Sequence, residues 1–419
     1  MKTFAEARDW LYSAQPFGIR LGLEPMRHLA AELRLHLDPH DPCVSSNHSG
    51  SSTQRTRWIH VAGTNGKGSV CAFQAAIAQA SGLRTGLYTS PHLLSFRERI
   101  QVDGQPISET DALEGLQRIH SIVQSWPTLP TFFELVTALG LLHFQNQHVE
   151  LAILETGLGG RLDATNVVLP EVAVITPIGL DHCQMLGSTL HEIAREKAGI
   201  FKPGLPIVCA PQTPEVEQTL QTQASQLGCD LEWVREPWSS APLGLQGSYQ
   251  RWNAALAVKG LQKAPVHLPQ DAIHEGLARV QWPGRFQILQ PNLVLDGAHN
   301  PHAARILAQT WREIFPDELA CIVFGAMADK AVDEILAELV PIASEWAVVP
   351  VTSPRALSPE AVQTRIRCLD SARPCRIFPS IGEALSSPSS SRRLVCGSLF
   401  LIGETLASLK GSRFERSSQ

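Results

Sequence analysis

The run Trp58 to Ser69, W-I-H-V-A-G-T-N-G-K-G-S, constrains this chain more than any other stretch. The apolar, β-branched residues Trp58, Ile59 and Val61 lead into a glycine-rich turn (Gly63, Gly66, Gly68). Helix-forming residues follow from Val70 to Ala80, so the segment predicts strand, tight loop and helix. That is the build of a phosphate-binding loop. Small residues let backbone N–H groups close on phosphate oxygens, and the helix N-terminus adds partial positive charge. Lys67 neutralises phosphate and Ser69 offers a hydroxyl to a metal. The spacing departs from G-x-x-x-x-G-K-[ST], because Gly68 stands between Lys67 and Ser69 and the first glycine lies closer. The bland alternative is a glycine-rich turn with a solvated lysine.

The remaining bounds are consistent with a globular protein that binds small molecules. A chain of 419 residues is too long for one ordinary core, so two domains are expected. With 44% hydrophobic and 18% charged residues it is globular, and a net charge of -5 without a long basic run argues against a nucleic-acid surface. The nine cysteines are odd in number, scattered and mostly in apolar surroundings, and no C-x-x-C pair occurs, as expected of reduced core thiols. Met1 to Tyr12 lacks a signal-peptide core, and no apolar run approaches the ~20 residues of a membrane span. A cytoplasmic location, no membrane and a monomer are the expectations.

Two helices are predicted at Thr3–Ser13 and Pro25–Leu37, followed by an exposed, mobile polar loop from Asp38 to Arg55. From Trp58 onward strand-like and helix-like runs alternate, the strands falling at Trp58–Ala62, Thr85–Thr89, Leu151–Leu154, Val172–Thr176 and Pro206–Cys209. Such alternation implies right-handed βαβ units, hence an α/β fold with a mainly parallel sheet. Past Trp282-Pro283-Gly284-Arg285 the alternation restarts, with strands at Leu293–Leu295, Cys321–Phe324, Trp346–Val351 and Leu394–Cys396. The expected architecture is an N-terminal P-loop ATPase domain over residues 1–285 and a smaller, Rossmann-like α/β domain over 286–419.

Ligands of open parallel sheets lie beyond the carboxyl ends of the strands. Four strands here end in polar groups: the glycine loop, Thr89-Ser90-Pro91-His92, Glu155-Thr156-Gly157, and Asp181-His182. Singly, Ser90 is a turn residue, Glu155 a partner for Arg161 and His182 a hydrogen-bonded loop histidine. Beside a phosphate loop, Ser90, Glu155 and His182 form a candidate Mg²⁺ site, since hydroxyl, carboxylate and phosphate oxygens suit a hard cation and the imidazole also tolerates Mn²⁺. Thr131-Phe132-Phe133-Glu134 and Thr189-Leu190-His191-Glu192 have capping-box spacing, although the Phe pair also offers an aromatic wall. Lys197, in the last turn before Gly199, is by default a cation complementing a helix C-terminus.

With these residues in view, the chain resembles the folylpolyglutamate synthase/dihydrofolate synthase family of the Mur ligase superfamily. The resemblance rests on Gly63 to Ser69, Thr89 to Leu93, Phe96-Arg97-Glu98-Arg99-Ile100, Thr131 to Glu134, Glu155 to Asn166, Asp181-His182, Glu196 to Ile200, Pro283-Gly284-Arg285 and Asp296-Gly297-Ala298-His299-Asn300-Pro301. It implies that Thr64, Asn65, Gly66, Lys67, Gly68 and Ser69, with Asn253, Arg285 and Asp296, bind ATP. It further implies that Ser90, Glu155 and His182 ligate Mg²⁺, that Lys197 carries a carbamate, and that His299 helps bring in glutamate. Thr131, Phe132, Phe133, Glu134, Leu162, Asp163 and Ala164 match the pterin-side pocket.

The implied reaction joins L-glutamate, at the expense of ATP, to dihydropteroate, to a reduced folate, or to both, through an acyl phosphate. Two alternatives compete: a ligase acting on a cell-wall nucleotide precursor, and a P-loop regulatory ATPase. The Thr-Phe-Phe-Glu run weighs against the first. Intact Lys67, Glu155, His182 and Lys197 weigh against a dead nucleotide-binding relative.

Overall fold

Among the described residues, strand β1 (Arg57–Ala62) is buried on both faces and lies inside a sheet of eight strands. The others are β2 (Thr85–Tyr88), β3 (Ile100–Val102), β4 (Gln105–Pro106), β5 (Leu151–Glu155), β6 (Val172–Ile175), β7 (Ile207–Cys209) and β8 (Leu231–Trp233). Their order is β4-β3-β2-β5-β1-β6-β7-β8. From β2 to β8 every pairing is parallel, while β3 and β4 form an antiparallel edge. Val172 and Val174 of β6, and Ile153 of β5, are wholly buried, as strands covered by helices on both faces require. This computed structural model describes residues 1–15, 18, 20, 22–40, 55–411, 414 and 415. Apart from 38–40 and Arg55, the polar segment predicted as a mobile loop lies outside the described residues.

Two helical layers cover the sheet. On one face Lys67–Ala80 packs with Ser248–Lys263 and Gln270–Arg279. On the other, Phe132–Asn146 and Glu109–Val123 share a core with the N-terminal helices Phe4–Ser13 and Glu24–Glu32. The second of these was expected to run to Leu37. It stops at Glu32 because Arg34 adopts φ 56° and the Leu35 amide turns back to the Ala30 carbonyl, a left-handed helix cap.

Among the described residues a second sheet of six strands follows: β9 (Gln287–Gln290), β10 (Leu293–Leu295), β11 (Ala320–Phe324), β12 (Ala343–Val348), β13 (Cys375–Ile377) and β14 (Arg392–Cys396). Its order is β13-β12-β11-β14-β10-β9, parallel except for the edge strand β9. Beyond residue 411 the chain returns to the first sheet's domain: the Glu415 amide donates to the Leu94 carbonyl at 2.9 Å, and its carboxylate accepts the Phe96 amide at 3.1 Å. No helix among the described residues is long and apolar enough to cross a membrane.

The helix behind the phosphate loop is seated by a close approach at Gly276, where a Cβ would stand 2.5 Å from Ile77 Cα. Gly276→Val is therefore expected to lower stability by about 1–3 kcal/mol through overpacking, read as a lower urea midpoint with unchanged slope.

Candidate active site

The loop between β1 and helix Lys67–Ala80 fits its surroundings only because three residues lack side chains. A Cβ on Gly63 would lie 1.9 Å from Thr176 Oγ1, one on Gly66 2.7 Å from Asn253 Oδ1, and one on Gly68 2.9 Å from Trp282 Nε1. Gly66, at φ 90°, is the residue from which the helix springs. The amides of Thr64 and Asn65 both donate to the Pro177 carbonyl, at 3.0 and 3.2 Å, and the Thr64 hydroxyl is bonded to Gly179. Those two residues therefore shape the loop. The unpaired N–H groups that a helix start leaves for an anion fall at Lys67, Gly68 and Ser69.

Around this loop the four predicted strand ends converge. Lys67, Ser90, Glu155 and His182 line one cleft of about 330 Å³ together with Asn253, Arg285, Asp296 and His299. Lys67 Nζ lies 3.9 Å from Glu155 Oε1, and the Ser90 amide donates to Glu155 Oε2 at 3.1 Å. Arg161, the alternative partner for Glu155, pairs with Glu196 at 2.8 Å instead. Burial raises the Glu155 carboxyl, with Lys67 and the Ser90 amide opposing. Ser90 Oγ is buried and has no partner among the described residues. An unpaired buried hydroxyl beside a buried carboxylate is a donor set that fits a hard divalent cation. Among the described residues no cluster of three His, Cys, Asp or Glu side chains that could hold a metal ion is found.

The structure corrects the default reading of Lys197. Its side chain does not complement its own helix end; it is buried and donates to the Gly63 carbonyl at 2.7 Å. Burial, aided by Lys67, pushes its amine down to about 7.

The second sheet completes the cleft. Asn300 caps helix Pro301–Ile314 by accepting the Ala303 amide, and its Nδ2 donates to Asn65 Oδ1 at 3.0 Å. Asn65 Nδ2 donates to His302 Nδ1 at 2.8 Å. Asp181 is a second crossing point, 2.7 Å from Lys330 Nζ and 3.8 Å from His299 Nε2. Burial pushes the Asp181 carboxyl up, but His299, His182 and Lys330 outweigh that and hold it below the usual range. His182, at φ 52°, is pushed down to about 4 by burial, so its imidazole is neutral near pH 7. His299 Nδ1 is 2.7 Å from the Gly297 carbonyl. A carbonyl only accepts, so the proton sits on Nδ1 and Nε2 is left as an acceptor. Asp296 accepts the Phe286 and Ala298 amides, both at 2.8 Å.

The residues expected on the pterin side do not line this cleft. Thr131 and Glu134 form the capping box, the Thr131 amide reaching Glu134 Oε2 at 2.7 Å. Thr189 and Glu192 form the other predicted cap. Phe132 is buried, with its ring 5.3 Å from that of Tyr12 and beneath the Arg99 guanidinium. Phe133 packs under Gly157, where a Cβ would stand 2.5 Å from its ring, and 6.2 Å from the Tyr88 ring. Leu162 is half-buried, Asp163 and Ala164 are buried, and the Leu158 amide donates to Asp163 Oδ2 at 2.8 Å. The residues therefore sit behind the Gly157–Gly159 loop, whose near side does line the cleft. Sequence reasoning missed Lys330, Tyr249, Trp252 and Gln250. The last donates to Ser69 Oγ at 3.3 Å. Tyr249, Gln250 and Trp252, four, three and one residues before Asn253 on one helix, carried a positional signal, and Lys330 carried none.

Comparison with known proteins extends these observations. Residues 61–229 match the Mur ligase middle domain, and residues 284–396 match the Mur ligase, glutamate ligase domain. A dihydrofolate synthase/folylpolyglutamate synthase of Bacillus subtilis is 36% identical over 387 residues, covering 84% of this chain and 86% of that protein. The structure of Escherichia coli FolC in complex with DHPP and ADP superposes with a TM-score of 0.83 at 31% identity, covering 97% of this chain and 98% of that one. A bifunctional folylpolyglutamate synthase/dihydrofolate synthase with Mn, AMPPNP and L-glutamate bound gives 0.81 at 31% identity, covering 98% of each chain.

Lys197 also generates a stability prediction. Its folded-state pKa lies below that of free lysine, so the unfolded chain holds a proton that the folded chain has released between about pH 7 and about pH 10. Wild-type stability should therefore rise with pH across that window. Lys197→Met should be most favourable relative to wild type at pH 7 or below and lose that advantage by about pH 10, read from paired urea midpoints.

Proposed function

The chain belongs to the folylpolyglutamate synthase/dihydrofolate synthase family of the Mur ligases, and on that premise we propose the residue roles and substrates set out below. It is an ATP-dependent acid–amino-acid ligase that adds L-glutamate to a folate-type acid. In our reading it is bifunctional, taking both dihydropteroate and reduced folates, and works as a monomer in the cytoplasm. The division into an ATP-binding part and a glutamate-ligase part falls at residues 285/286.

The amides at Lys67, Gly68 and Ser69, with the Lys67 ammonium, hold the ATP phosphates. Asn253, Arg285 and Asp296 hold the rest of the nucleotide, and Asn65 ties the loop to the second domain. Ser90, Glu155 and His182 hold a divalent cation, Mg²⁺ in our reading, which when bound offsets charge on the transferring phosphoryl group. The acid's carboxylate oxygen attacks the γ-phosphorus, the bond to the bridging oxygen breaks, and ADP leaves an acyl phosphate. The glutamate amine then attacks the acyl carbon and phosphate departs. His299, with Nδ1 fixed, presents Nε2 to the incoming ammonium. Lys67 acts by charge and position, since the acyl phosphate is already reactive. The contacts from Asn300 and Lys330 across the cleft exclude water that would otherwise hydrolyse it.

The observation that carries this reading is the convergence of phosphate loop, buried Glu155, unpaired Ser90 hydroxyl and His299 from the second sheet on one cleft. The test is ADP release with ATP, Mg²⁺ and L-glutamate, adding dihydropteroate or tetrahydrofolate in separate tubes and identifying products by mass. Turnover that needs glutamate and proceeds with either acid is the expected result. Turnover indifferent to both would replace the ligase by an ATPase switch.

An amine poised at about 7 is partly unprotonated at neutral pH and so open to carbon dioxide, which supports a carbamate on Lys197. Lys197→Ala should lose most activity and regain part of it with acetate, assayed by ADP release. Full activity in the variant would remove the role.

A further inference from the structure

The substrate-side loop stands on a buried chain of hydrogen bonds that begins in β1. His60, three positions before Gly63, is wholly buried, and its Nε2 lies 2.7 Å from Thr165 Oγ1. Thr165 Oγ1 is 2.5 Å from Asp163 Oδ1. Asp163 also accepts the Thr165 amide at 3.0 Å and the Leu158 amide at 2.8 Å. Burial raises the Asp163 carboxyl and the Thr165, Leu158 and Gly157 donors oppose that; with Asp163 ionised, the proton inventory of this chain has one consistent solution. Asp163, met by two backbone donors, is an acceptor, so the single Thr165 hydroxyl proton points to it. Thr165 then faces His60 with a lone pair, and His60 Nε2 must carry the ring proton. Nδ1 is left bare, and it is buried without a partner among the described residues. The opposite tautomer would bury an N–H with no acceptor. Burial, with Lys202 adding to it, holds the imidazole neutral down to about 3, so the arrangement does not titrate near neutral pH.

One strand therefore serves two loops. Its end supplies Gly63 and the phosphate loop. Its interior, through His60, supports the turn at Asp163 and the backbone at Leu158, and Leu158 lines the cleft. A hydrogen-bonded wall of this kind sets where an acid can lie relative to the γ-phosphate, and a small misplacement there weakens acid binding before it affects the nucleotide. We propose that His60 is a positioning residue for the acid substrate: through Thr165 it fixes Asp163, and through Asp163 the loop that borders the acid's pocket. The inference rests on the pterin-side assignment made above.

The test uses the full chain. Thr165→Val keeps the buried shape and removes the hydroxyl relay, and Thr165→Ser keeps it. Thr165→Val should raise the KM for dihydropteroate or tetrahydrofolate on the order of tenfold, the effect of losing the buried hydroxyl and its two hydrogen bonds, with the KM for ATP unchanged. Thr165→Ser should restore the wild-type value. Equal rises in both KM values, or no rise, would overturn the proposal. A second measurement needs no variant: ¹⁵N NMR of the wild-type imidazole should show a proton on Nε2, a bare Nδ1 and no charge from pH 6 to 8. A proton on Nδ1, or an imidazolium, would overturn it equally. A wild type without glutamate-dependent turnover would strike at the ligase reading, and the tautomer would still decide the relay.

Discussion

Backbone closeness at the phosphate loop is the constraint on which the rest depends. Amides gather around a phosphate only where no side chain intervenes, and the neighbours of Gly63, Gly66 and Gly68 occupy the space their Cβ atoms would need. Each neighbour comes from a different part of the chain: Thr176 from the end of β6, Asn253 from a helix on the sheet's face, Trp282 from the approach to the second sheet. The loop is therefore the meeting point of three structural units. Its conformation depends on all of them, and Lys197 adds a fourth support by binding the Gly63 carbonyl.

The chemistry depends on a second meeting, between the two sheets. Asn65 with Asn300, and Asp181 with Lys330, are polar contacts that join the domains at the cleft. Both involve groups that also have local work, Asn300 as a helix cap and Asp181 beside His182. Cleft closure and local order thus share the same atoms. This suits a ligase whose acyl phosphate must meet an amine and not water.

The strands and the strand-end rule were legible because they are local and periodic. β1, β2, β5 and β6 lie side by side, and their carboxyl ends meet where the alternation of apolar runs placed them. Capping at Thr131 and Thr189 was equally legible, since a cap needs only three residues of context. Lys197 was misread for the opposite reason: its partner, Gly63, is remote in sequence, and the nearest local rule assigned it to its helix end. Lys330 gave no signal, being one lysine after one strand. The strands β3, β4, β8, β9 and β13, at or next to the sheet edges, were missed because they are partly exposed and mix polar with apolar residues, so no continuous apolar run marks them, and the helix Leu399–Lys410 because it is apolar nearly all round and lacks a clear stripe.

The return of the chain at Glu415 has a mechanical consequence. The second domain is joined to the first through the segment before Phe286, and again where Glu415 binds the backbone at Leu94 and Phe96. Two attachments define a line. Rotation about that line keeps both intact, whereas a twist or slide of one domain over the other strains at least one. Glu415 thereby adds to the ties between the two domains, and a relative movement that kept both of these attachments would be a rotation about the line through them.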